Sequence, residues 1–86
     1  MDYEFDTAKD KTNIAKHGVS LELGRIVIES SVNDVIDPRH QIEVRRIAYG
    51  TVDGRLFVCV YTMRNAVCRL ISVRKANSRE RRKWQR

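Results

Sequence analysis

An α+β fold is the class this sequence predicts: a small antiparallel sheet with two N-terminal helices and a C-terminal helix, in the order β-α-α-β-β-β-β-α. Three observations lead there. Apolar and polar residues alternate through most of residues 31–75, the period of a strand with two distinct faces. Asp53-Gly54 sits between two such runs and is the strongest hairpin signal in the chain. Polar segments with capping residues and helix-end glycine stand at the two ends, away from the strand-like centre.

The elements follow in order. "DYEFD" alternates Tyr3 and Phe5 with acids and suits a short first strand. Thr7, after Asp6, is placed to cap a helix "AKDKTNIAKHG", with Lys16 and His17 in its last turn, where cations suit the helix dipole, and Gly18 to stop it. Ser20 caps a second helix holding Leu21, Leu23, Ile26, Val27 and Ile28. "SVNDVIDP" reads as a weaker strand and "QIEVRRIAYG" as a longer one, joined through Asp53-Gly54 to "RLFVCVYT". "MRNA" then turns the chain into "VCRLISVRK". Asn77 caps the final helix, and Glu80 three residues on completes an Asn version of the capping box.

The two turns set an expected register. With Asp53 and Gly54 in a two-residue turn, Val52 pairs with Arg55, Ile47 with Val60, and Arg45 with Thr62. With the second turn centred on Arg64 and Asn65, Val60 faces Arg69 and Val58 faces Ile71. One sheet face then carries Arg45, Ile47, Tyr49, Leu56, Val58, Val60, Arg69, Ile71 and Val73, gathering Arg45 and Arg69 at one end. Neither face is uniformly polar, so both are expected to be partly covered.

Composition narrows the function classes. Residues 1–86 are expected to form one domain, since a chain of this length has room for a single modest core. No apolar run approaches the ~18 residues that span a bilayer. The acidic opening "MDYEFDTAKDK" lacks a signal-peptide core, so a cytoplasmic protein is expected. Cys59 and Cys68 lie in apolar alternating runs rather than a metal-binding spacing, and are read as reduced, buried residues; no metal or cofactor is expected. The net charge is +6, and all of that excess lies from Arg74 onward, in seven basic residues against Glu80. A pI near 9.8 makes a polyanion the expected partner, nucleic acid or an acidic protein segment.

Several stretches, taken together, resemble a known family. "KHGVS" at Lys16 to Ser20, the Asp53-Gly54-Arg55 hairpin, "VYTMR", and "RLISVRKANSRER" from Arg69 resemble BrnT, the ribonuclease toxin of a type II toxin-antitoxin system, from about Phe5 to Trp84. The family's usual Trp-Asp-Pro near the start reads Phe5-Asp6-Thr7 here. The resemblance implies a RelE-like fold and an endoribonuclease that cleaves RNA and blocks translation. It also implies a BrnA-like antitoxin, whose complex with the toxin binds and represses its own operator.

Metal-independent RNA cleavage needs a base for the ribose 2'-OH, a cation for the charge gathering on phosphorus, and an acid for the leaving 5' oxygen. Arginine suits the second role because its planar fork can hold two phosphate oxygens. Arg45, Arg64, Arg69 and Arg74 match positions of the family pattern; the plainer alternative for Arg45 and Arg69 is a sheet-end ion pair with an acid such as Glu43. Proton-transfer candidates are His17, within the "KHG" match, with Lys16, His40, Glu43, Lys75 and Glu80 behind it. Glu80 is first a capping residue that could also orient Arg74 or Arg81. The expected catalytic set is therefore His17, Arg45, Arg69, Arg74, Lys75 and Glu80. Lys16, Arg64, Arg81, Arg82 and Lys83 are the expected RNA contacts, and the tail cations offer an acidic antitoxin segment the same rim. The alternative from another class is a non-catalytic nucleic-acid-binding or co-repressor protein, in which these arginines only hold phosphates.

Overall fold

The computed structural model describes residues 1–39 and 42–85. The elements run β1 (Asp2–Glu4), α1 (Thr7–His17), a 3-10 turn (Leu21–Leu23), α2 (Gly24–Glu29), β2 (Ser31–Ile36), β3 (Arg46–Val52), β4 (Arg55–Arg64), β5 (Val67–Lys75) and α3 (Ser78–Trp84). The expected class and element order hold. Five strands form one mixed sheet in the order β1-β5-β4-β3-β2, with β1 alone running parallel to its neighbour. Asp6, not Thr7, caps α1: its carboxylate accepts from the amides of Ala8 and Lys9. These bonds draw its pKa down. Asn77 caps as the sequence predicts, Ser20 caps the 3-10 turn rather than α2, whose start at Leu23 has no side-chain cap, and Gly18 ends α1 in the left-handed region at φ 74°. No described helix is long and apolar enough to cross a membrane.

The first hairpin has the expected register, Val52 opposite Arg55 and Ile47 opposite Val60. The second does not. Its turn centres on Asn65 and Ala66, both at positive φ, so Arg64 pairs with Val67 and Thr62 with Arg69. Two positive-φ residues make the turn whose twist matches the flanking strands, which moves it one residue beyond the expected Arg64-Asn65. A bulge beside Val60 and Tyr61 then shifts the ladder again, so that Val60 faces Ser72 and Val58 faces Arg74. Ile71 and Val73 leave the expected face, and Ser72 and Arg74 join it. β3 also starts later than expected, at Arg46; Arg45 precedes it, its carbonyl accepting from the Asp37 amide.

Both sheet faces are covered in part. On one, α1 and α2 bury Ala48, Phe57, Cys59, Tyr61, Cys68, Leu70 and Val73 with Leu21 and Val27. On the other, Leu56, Val58 and Ala76 pack with Ile47, Tyr49 and Trp84, so α3 covers only one end. Beyond the short β1, the outer edge of β5 would leave Val73 unpaired. Asn13 of α1 fills that gap: its amide donates to the carbonyls of Val73 and Val19 and accepts from the Val73 N–H. Cys59 and Cys68 are free and fully buried. Burial pushes both thiols up, Cys68 to about 11, which removes thiolate chemistry from the candidate reactions.

Candidate functional site

Alternation along β4 places Thr62 and Arg64 on the face opposite α1 and α2, and Arg69 of β5 lies directly across from Thr62. Thr62 is buried and donates its hydroxyl to the Val44 carbonyl at 2.7 Å, tying the segment before β3 to this end of the sheet. That tether positions Glu43 and Arg45. Glu43 then accepts from Arg45 Nε and Arg64 at 3.2 Å each. Two guanidinium groups on one carboxylate leave a net positive charge, and the hydrogen bonds from Arg64 and Arg45 hold the Glu43 carboxyl below its ordinary range. Arg69, across the strand pair, meets Glu4 of β1 at 3.5 Å. Its charge also reaches Asp6.

Arg74 stands on the same face at the other end, opposite Val58. Both nitrogens of its fork reach Glu80, at 2.8 and 2.9 Å, while Glu80 also accepts from the Asn77 amide as half of the capping box. The sequence offered Glu80 as a cap that could orient Arg74, and it does both. Arg74 first, and the Asn77 amide after it, lower the Glu80 pKa from its ordinary 4.5 against the opposing effect of burial. A carboxylate lowered in this way contributes its stabilisation in full above its unfolded value and loses it as pH falls through the folded one. Trp84, the sole tryptophan, ends the helix that Glu80 caps. Its fluorescence is therefore expected to hold steady on acidification to about pH 5 and to change only below 4.5. A transition above 4.5 would show that the pair does not hold α3.

The remaining candidates lie elsewhere. His17 and Lys16 line a groove of about 200 Å3 with Lys9, Thr12, Asn13, Ile71 and Ser72, along the β5 edge that α1 occupies. None of the four arginines lines that groove. Lys75 pairs with Phe57, so alternation turns it to the face opposite Arg74. Arg81 donates to Ser78 within α3, and Arg82 and Lys83 are exposed. His40 lies outside the described residues. The fold thus gathers Arg45 and Arg64 around Glu43 near Arg69, and pairs Arg74 with Glu80, but does not bring His17 or Lys75 to them.

Glu4 and the tether that Thr62 makes to Val44 escaped the sequence reading. Glu4 is one acid among several in "DYEFD", and only the parallel pairing of β1 with β5 sets it opposite Arg69. Among the described residues, no three His, Cys, Asp or Glu side chains gather as a metal site would need. The arrangement can hold an anion between fixed guanidinium groups and offers carboxylates beside it. A family model described as "Ribonuclease toxin, BrnT, of type II toxin-antitoxin system" matches residues 5–80. No curated protein and no solved structure matches the chain.

Proposed function

Given that the chain belongs to the BrnT family of ribonuclease toxins of type II toxin-antitoxin systems, we propose that it cleaves RNA on the sheet face bearing Arg45, Arg64 and Arg69. The observation that carries this reading is the sharing of Glu43 by Arg45 and Arg64. It fixes two guanidinium groups and leaves them with charge to spare, at an end of the sheet that α3 does not cover. Thr62 is six residues along β4 from Leu56 under α3, roughly 20 Å away at the rise of a strand.

In this proposal Arg45, Arg64 and Arg69 grip the scissile phosphate and stabilise the charge of the phosphorane, the part that a metal ion plays in other nucleases. The 2'-oxygen attacks the neighbouring phosphorus to give a 2',3'-cyclic phosphate, and the bond to the 5' oxygen breaks, the departing oxygen taking its proton from water. Glu43 stands among the arginines, so it is better placed than His17 to receive the 2'-OH proton. Lys16, Arg81, Arg82 and Lys83 supply outlying phosphate contacts, with the salt dependence that counterion release brings. A type II toxin implies an antitoxin. We assign this chain a BrnA-like one with an acidic segment for the basic rim, and operator DNA is reached only through that complex.

Producing the chain alone in bacteria tests the reading. Growth arrest with loss of RNA is expected, and relief when the antitoxin is supplied. Harmless accumulation of folded protein would favour the non-catalytic binding role instead.

A further inference from the structure

The face that carries Arg74 has a second feature, which the arginine cluster does not use. A groove of about 400 Å3 lies between β2, β3 and α3, lined by Asn33, Val35, Tyr49, Arg79, Glu80, Lys83 and Trp84, with Glu80 held by Arg74. The Tyr49 and Trp84 rings are 5.6 Å apart and inclined by 35°, and Lys83 Nζ stands 4.9 Å from the Trp84 ring centre. Asn33 contributes an anomaly. Its Nδ2 is shut off from water and has no hydrogen-bond partner among the described residues. Buried amide donors are nearly always paired, and Asn33 lines this groove, so a turn of its side chain would bring the unpaired donor to an acceptor held there.

We propose that this groove holds one unpaired base of a single-stranded RNA, stacked against Tyr49 and Trp84, with the Asn33 amide meeting the polar edge of the base. The assignment rests on the ribonuclease reading above and deepens it. A nucleobase combines what the groove lacks: a flat π face for two aromatic rings, and an edge that both accepts and donates to a carboxamide. The phosphates flanking that base would meet Arg79 and Lys83 at the rim, on the same sheet face as Arg74. An acidic peptide would satisfy the rim cations and could accept from the amide, but its carboxylates carry no flat π face to match the two rings.

Trp84 is the only tryptophan, so its fluorescence reports directly on stacking. The probe is a short 2'-O-methyl oligoribonucleotide, which lacks the attacking hydroxyl and cannot be cleaved, compared with an abasic chain of equal length. The oligonucleotide should quench Trp84 saturably and bind about tenfold more tightly than the abasic chain, the scale of one stacked base. Asn33→Ala should weaken binding roughly five-fold with no change in salt slope, because a base contact and not a phosphate contact is lost. Its melting temperature should not fall, since the amide N–H makes no bond in the free protein. Base-dependent quenching should persist in Arg69→Ala whatever happens to cleavage there, which separates this site from the phosphate site. Equal quenching by the abasic chain, or undiminished affinity in Asn33→Ala, overturns the assignment. So does quenching by a glutamate-rich peptide where the oligonucleotide gives none, which would mark a protein-docking face.

Discussion

Arg69→Ala and Arg45→Ala are each expected to lower RNA cleavage by about 100-fold or more, since removing one preorganised donor from a charge-developing centre costs about 3 kcal/mol of transition-state stabilisation. Neither change should cost much stability. Arg69 pairs with Glu4 at 3.5 Å in a site where both side chains keep contact with water, 25% and 44% exposed, and such pairs contribute under about 1 kcal/mol. Removing Arg45 still leaves Glu43 a partner in Arg64. Cleavage rate per folded molecule and melting temperature, measured on each purified variant, separate a catalytic from a structural role. Lower melting with unchanged specific activity would make these arginines sheet-end ion pairs, and would move the active site towards Arg74 and Glu80.

Gly50→Ala is expected to destabilise the fold more than any surface change. A methyl group there would overlap the Val27 carbonyl oxygen of α2 and approach Ser30 Oγ to 2.8 Å. The first obstacle is backbone, which cannot swing aside, so α2 must lift off β3. Overpacking of this kind costs about 3 kcal/mol. For a domain of this size that lowers the melting temperature by roughly 12–24 °C. Gly54→Ala is the control. Gly54 has φ +76° and nothing within 4 Å of an added methyl, so only backbone strain of about 1 kcal/mol opposes it. If thermal melting shows the two variants equally stable, the close approach of α2 to β3 at Gly50 is not what holds that helix.

Local signals carried much of this fold into view. Asp53-Gly54 needs only its own neighbours to turn, so the first hairpin and its register are legible. The Asn77–Glu80 capping box closes over three residues and is legible for the same reason. The second hairpin is not, because Arg64-Asn65 and Asn65-Ala66 are both acceptable turn centres by local chemistry. The twist of the flanking strands, matched by a turn with two positive-φ residues, favoured Asn65-Ala66, and a bulge moved Arg74 onto the arginine face. Asn13 likewise looks like any polar helix residue, until β5 is found to run past β1 with Val73 unpaired.

The candidate site divides along the same line. Residue type announced which side chains could hold a phosphate, because a guanidinium fork has that capacity in any fold, and the quoted motifs announced the family. Which of them stand together is a long-range fact. Glu43 reaches Arg64 across 21 residues, and Glu4 reaches Arg69 across more, through strand pairings that no local pattern encodes. His17 shares a motif with the family but lies along the β5 edge with α1, since the Asn13 bonds to Val73 anchor the helix there. The elements, most caps, one register and the chemistry on offer can thus be read from the residues in order, because all of them act over a few residues. Which charges meet depends on the folded sheet, because hydrogen bonds between distant strands place a carboxylate beside one arginine and leave another chain segment on the far side.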